Sequence, residues 1–224
     1  MIRIRTNSLT WKKGTEHTIK RLLKHLNYRL HEKDYDVGLI KVFEPLSELN
    51  VIHFASPHYR YITNSTALIA GWGYFKAKRV ISNILRTTEV CLFSQKYCRQ
   101  KYENTSEPIV YDYRNYESEN INDNEDYYQY NKTQNDIDNI NYYNNGELED
   151  KKRAIITRRM VCAGTYTGEK DACFYDSGGP LVQNKTLIGI ISWGRKCASP
   201  SWPGVYVKIA YFSNWISHTL QDDP

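Results

Sequence analysis

Short apolar runs separated by turn residues recur along the chain, the pattern of short strands. In the N-terminal part such runs cover Met1–Arg5, Thr18–Leu23, Asp36–Val42 and Ala67–Trp72, and the last closes on the turn Gly71-Trp72-Gly73. The pattern then stops. Eight Tyr and eleven Asn follow Glu103 before the pattern resumes, with few aliphatic residues and no period of 2 or 3.6. Such a stretch cannot bury enough apolar surface to offset its ordering entropy, so residues 103–150 read as a disordered acidic Tyr/Asn-rich insertion. Pattern returns at Ile155, with strands predicted over Met160–Ala163, Pro180–Val182, Leu187–Trp193 and Gly204–Lys208. A closing helix follows, with Phe212, Trp215, Ile216 and Leu220 on one face as packing surface. Many short strands with turn signals between them predict an all-β barrel or sandwich.

The chain has 224 residues, enough for one large or two small domains with a sizeable core. Its longest apolar run, around Leu187 to Trp193, is far short of the roughly 18 residues a membrane helix needs, so no membrane partner is expected. Met1 is followed by Arg3 and Arg5 with no apolar segment behind them, so no secretory leader is read here. The net charge of +5 hides an asymmetry: residues 103–150 hold thirteen acidic and two basic side chains, a net of −11, and the remainder carries +16. A basic surface of that size suits a polyanion such as an anionic polysaccharide. Nucleic acid is not the expected partner, because there is neither an arginine-rich helix nor an RNP-type strand.

Cysteines stand at 91, 98, 162, 173 and 197, with no C-x-x-C and no His pair at metal spacing. No metal site is expected, and disulfides are the better reading. Four N-x-[ST] sequons, at Asn64, Asn104, Asn131 and Asn184, fit the same oxidising, extracellular compartment.

The segment richest in chemistry is Lys170-Asp171-Ala172-Cys173-Phe174-Tyr175-Asp176-Ser177-Gly178-Gly179-Pro180-Leu181. A serine in a tight turn, followed by two glycines and preceded by an acid, suits a nucleophile whose neighbouring N–H groups face a developing oxyanion. Taken alone, Ser-Gly-Gly-Pro is an ordinary turn, and its context gives it meaning. Met160-Val161-Cys162-Ala163-Gly164 precedes it; Ile191-Ser192-Trp193-Gly194, Cys197 and Pro203-Gly204-Val205-Tyr206-Val207-Lys208 follow. This combination resembles the chymotrypsin-like (trypsin-type, S1) serine peptidases. Tyr35-Asp36-Val37-Gly38-Leu39-Ile40-Lys41-Val42 is similar to the strand bearing that family's catalytic Asp, and Ala70-Gly71-Trp72-Gly73 to its midchain turn.

The resemblance implies one peptidase domain over residues 1–224, interrupted by the insertion. Its fold would be two antiparallel Greek-key β-barrels, the first without its opening strands, and a C-terminal helix. Ser177 would be the nucleophile and Asp36 the acid that orients the base, with the amides of Tyr175 and Ser177 forming the oxyanion hole. Asp171 would lie at the floor of a pocket for Arg or Lys, Gly194 and Gly204 would leave its walls open, and Ser192, Trp193 and Gly194 would pair with substrate backbone. Cys98–Cys162 and Cys173–Cys197 would be the disulfides, leaving Cys91 either as a buried thiol or for a partner on another chain or a missing segment. No cofactor is implied.

Two departures stand out. The family's base is a histidine some forty to fifty positions before the Asp, and none of His17, His25, His31, His53, His58 or His218 has the small-residue-plus-Cys context it occupies; His25 matches a surface turn. The family's freed N-terminal ammonium pairs with the acid before the serine, here Asp176, and Met1 begins too late in the fold to supply it. Tyr175 also replaces the glycine of the oxyanion hole. The expectation is therefore a secreted, monomeric endopeptidase scaffold acting on polypeptides, inactive as written, with a non-catalytic homologue that binds substrate or inhibitor as the alternative.

Overall fold

A computed structural model of the chain describes residues 2–30, 32–44, 46, 51–75, 80–103 and 156–222. The 103–150 insertion thus lies outside the described residues except for Glu103. Residues 3–105 and 154–224 belong to one compact unit, which contains every feature below.

Two short antiparallel ribbons come first. Strand β1 (Ile4–Thr6) pairs with β2 (Thr15–His17), and β3 (Ile19–Lys24) with β4 (Gly38–Val42). After β5 (His53–Phe54), six strands form a closed barrel: β6 (Thr66–Gly71), β7 (Arg86–Leu92), β8 (Met160–Gly164), β9 (Pro180–Gln183), β10 (Thr186–Trp193) and β11 (Gly204–Lys208). The ring runs β6-β7-β8-β11-β10-β9 and returns to β6, antiparallel throughout; β5 adds in parallel at Thr186 and Leu187 of β10. This is Greek-key order, because β9 crosses back to β6 before the chain winds round to β8. Closure removes the unpaired edges that an open sheet of these strands would present.

Alternation explains the barrel's interior. Ala67 and Ile69 on β6, Val90 and Leu92 on β7, and Val161 and Ala163 on β8 point inward to meet Leu181, Ile188 and Tyr206. Each fully buried aliphatic side chain contributes about 1.5–3 kcal/mol. Strand β8 is buried along its whole length because helix α1 (Gln95–Glu103) covers its other side. The Cys98–Cys162 disulfide and the Tyr102 hydroxyl, which donates to the Pro203 carbonyl at 2.5 Å, fasten that helix down.

Helix α2 (Ile209–Asp222) seats Phe212 and Ile216 on the core, with Trp215 half-buried beside them, and the Ser213 hydroxyl donates to the Ala55 carbonyl. Leu220 departs from the expected stripe. It is 56% exposed, since the helix's last turn runs past the surface that the first turns cover.

One ion pair joins the β3–β4 ribbon to the barrel. The Arg159 guanidinium, just before β8, makes a forked contact with the buried Asp34 carboxylate, Nε donating to Oδ1 at 2.8 Å and Nη2 to Oδ2, and it lies 4.5 Å from the centre of the Tyr35 ring. Planar, bidentate pairing of this kind is both strong and directional.

Candidate active site

The end of β10 organises the site. Opposite β11, Ile191 faces Tyr206 and Trp193 faces Val205, so Ser192 is the extra residue of a β-bulge. Bulges re-aim side chains, and the Ser192 hydroxyl donates to Asp36 Oδ2 at 2.6 Å. One residue earlier, Ile191 holds the Ser177 turn through its backbone. Its carbonyl accepts from Gly178 N at 2.9 Å, and its N–H donates to the Gly179 carbonyl at 2.8 Å. Two neighbours on one strand therefore position the serine turn and the acid.

The two glycines after Ser177 serve different ends. Gly178 has φ +85° with open space around it, so the left-handed backbone is its requirement. A Cβ on Gly179 would stand 2.8 Å from the Asp176 carbonyl oxygen and 2.9 Å from that of Ala70, so there the demand is steric. Ser177 itself is exposed.

Asp176 turns away from the serine. Its carboxylate accepts from Gly73 N at 2.7 Å and Cys173 N at 3.0 Å, and any side chain on Gly71 or Gly73 would collide with it. The sequence reading gave Gly71-Trp72-Gly73 as a turn without its cause, which is this carboxylate. Backbone amides thus partner the acid that the resemblance assigned to an ammonium. Tyr175 has φ +71°, the left-handed region that an aromatic side chain rarely adopts, and its ring packs edge-on against Tyr74 at 5.1 Å.

Asp171, Gly194, Gly204 and Tyr206 form a second group. A Cβ on Gly204 would come within 2.6 Å of Asp171 Oδ1, whereas one on Gly194 would meet nothing nearer than Gly204 Cα at 3.9 Å. The two glycines face each other across space that a side chain would fill. Asp171 accepts from the Ala172 and Ala198 amides, and burial pushes its carboxyl up to about 7 because those bonds only partly replace lost hydration. The buried Tyr206 hydroxyl beside it has no hydrogen-bond partner among the described residues. Cys173–Cys197 pins the two chain segments around this group. The Trp193 ring stands edge-on to Tyr102 at 5.0 Å.

Histidines lie elsewhere among the described residues. Among the described residues, Asp36 binds Ser192 alone through its side chain, and the Ser177 hydroxyl makes no hydrogen bond. His17 is buried in the β1–β2 ribbon with Nε2 2.7 Å from Thr6 Oγ1. His25, read as a surface or packing histidine in a surface turn, packs among Tyr35, Phe212 and Trp215, and burial lowers its pKa. His31 lies outside the described residues. No group of three or more His, Cys, Asp or Glu that could hold a metal occurs among those described.

A family model described as Trypsin matches residues 2–123 and 119–216, more than half of the chain. The chain belongs to the trypsin family. Among curated relatives of this trypsin-family chain, the clotting factor G beta subunit of Tachypleus tridentatus is 28% identical over 215 residues, covering 91% of this chain and 56% of that protein. Transmembrane protease serine 5 of Homo sapiens is 30% identical over 212 residues, covering 91% and 36%, and trypsin eta of Drosophila melanogaster is 29% identical over 209 residues, covering 91% and 60%. The chain thus spans between about a third and three fifths of the length of these relatives. Neuropsin, a serine protease expressed in the limbic system of mouse brain, superposes with a TM-score of 0.65 at 25% identity, covering 92% of this chain and 72% of that one. The all-β trypsin fold and both disulfides expected from the sequence are therefore present, and Cys91 is a free, half-buried thiol.

Sequence reasoning missed the bracing residues. Ile191 acts through backbone atoms, which no side-chain pattern reveals, and Asp34 and Arg159 lie 125 positions apart.

Proposed function

We propose that the chain carries the nucleophile and specificity pocket of a secreted, monomeric serine endopeptidase selective for Arg or Lys, and that residues 1–224 alone hydrolyse no substrate. Ser177 would attack the scissile carbonyl, the amides of Tyr175 and Ser177 would receive the oxyanion, and Asp171 would pair with the substrate cation between Gly194 and Gly204. The observation that carries this reading is the half-buried Asp171 carboxylate, its pKa raised by lost hydration, beside two glycines that leave side-chain space unfilled. Attack requires the Ser177 proton to pass to a base, and Asp36 is engaged by Ser192 with no imidazole on either residue among the described residues. Trp193 and Gly194 would offer backbone to an extended peptide.

The test has two arms. Hydrolysis of Arg and Lys esters should match that of Ser177→Ala, and benzamidine should bind weakly and lose that binding in Asp171→Asn. Turnover abolished by Ser177→Ala would overturn the inactivity, and equal affinity in both proteins would overturn the pocket. A second reading, a non-catalytic homologue that captures polypeptide or inhibitor, draws on Tyr175 at φ +71°, where the oxyanion amide sits on a strained backbone. The basic remainder of the chain would supply a further surface for polyanions.

A further inference from the structure

Away from Ser177, the outer face of β6 and β7 gathers an exposed asparagine, an aromatic shelf and a polar groove. Asn64-Ser65-Thr66 is a sequon at the turn leading into β6. Asn64 is exposed at φ +65°, its N–H donates to the Leu92 carbonyl at 2.8 Å, and its Oδ1 accepts from the Tyr166 hydroxyl at 2.6 Å. That bond uses the amide oxygen and leaves Nδ2, the atom a glycan would occupy, without a partner among the described residues. Tyr166 is 53% exposed and packs edge-on against Phe93 at 4.9 Å and Tyr97 at 5.8 Å. Beside it, a groove of about 220 Å³ is lined by Thr66, Glu89, Cys91, Thr165, Glu169 and Lys170, with Val90 as its apolar member. Thr66 stands directly opposite Cys91 in the β6–β7 register, so the groove and the free thiol lie two residues from Asn64.

We propose that Asn64 is an N-glycosylation site and that the first sugars of its glycan cover this groove and shield Cys91. In the transfer, Asn64 Nδ2 bonds to C1 of an N-acetylhexosamine carried on a lipid diphosphate; the C1–O bond to the diphosphate breaks, the lipid diphosphate leaves, and one amide proton passes to the transferase's base. The fixed amide aims the sugar outward over Tyr166, whose ring suits the apolar face of a pyranose, while hydroxyl and acetamido groups meet the charged and hydroxyl side chains of the groove. Asn184 is the other sequon among the described residues. It sits with Lys185 in the two-residue turn between β9 and β10, both at positive φ.

The proposal rests on the secretion assigned above but not on catalysis. The full chain would be expressed behind a cleavable secretory leader in a glycosylating eukaryotic cell. Peptide mass mapping after N-glycosidase F in heavy-oxygen water should show Asn64 converted to labelled Asp. Thr66→Val should abolish that modification while sparing the Tyr166 bond. Cys91 should react with Ellman's reagent several-fold more slowly in the glycosylated protein than after enzymatic deglycosylation, a difference absent from Thr66→Val. Secreted, folded protein with unmodified Asn64 overturns the site, and modified Asn64 with equal thiol rates overturns the shielding. Because benzamidine binding is measured separately on the same protein, neither result depends on the peptidase reading.

Discussion

Replacing Asp171 by Asn should stabilise the fold at neutral and alkaline pH while destroying its affinity for cations. The carboxyl is lifted from an ordinary value near 4 to about 7 by burial, with the two amide donors and the distant Asp176 as smaller influences. Since an acid with a raised folded pKa binds its proton more tightly when folded, stability is full below the unfolded pKa and falls as pH rises through about 7. The lift corresponds to a ceiling of about 4 kcal/mol above that range. Asn keeps one acceptor for the Ala172 and Ala198 amides and forfeits the second, which removes about 1 kcal/mol. A net gain of about 2–3 kcal/mol at pH near 8 follows, or roughly 4–10 °C in Tm for a domain of this size. At pH near 4.5 the gain should vanish or reverse, because both forms are then neutral. Urea unfolding of the two proteins with disulfides intact, at both pH values, measures the difference. A variant less stable than the parent at pH 8, or a difference that does not change with pH, would refute the reasoning.

Benzamidine affinity should fall about tenfold per pH unit below about 7, as protonation of Asp171 removes the charge it pairs with, and calorimetry across that range should show one proton released on binding. Arg159→Met should destabilise by about 3–5 kcal/mol by stranding the buried Asp34 carboxylate, and adding Asp34→Asn should recover much of that loss in chemical denaturation. At position 175, Gly should be more stable than Ala by about 1 kcal/mol, since only glycine adopts φ +71° without cost; equal unfolding midpoints would show that the turn relaxes.

Most of the barrel is legible as short apolar runs between turn residues, and strands β6, β8, β9, β10 and β11 lie within one or two residues of their predicted bounds. The strand expected over Met1–Arg5 is Ile4–Thr6, and Asp36 itself lies in the turn before β4. Strand β7 was not foreseen because only Val90 and Leu92 face the core while Arg86, Thr87 and Glu89 face water. Helix α1 escaped for a similar reason: Cys98 and Tyr102 alone are buried in an otherwise polar stretch. The two-residue β5 and three-residue β2 are too short to carry a period at all. At the site, glycines and acids stood out as residue types, but which carboxylate meets which amide depends on chain crossings that composition does not encode.

The bulge at Ser192 makes chain length itself a functional variable. Removing that one residue would let β10 and β11 pair without interruption, a gain in regularity that the barrel core would scarcely register. Trp193 would stay opposite Val205, so the register beyond would hold. The re-aimed hydroxyl that partners Asp36 would be gone with the extra residue. Such a deletion leaves a protein that folds well with the Asp36 carboxylate unheld, whereas conservative replacement of the Ser192 side chain only weakens that contact. Drift in this family member should therefore be far freer in the chemistry of its residues around position 192 than in their number.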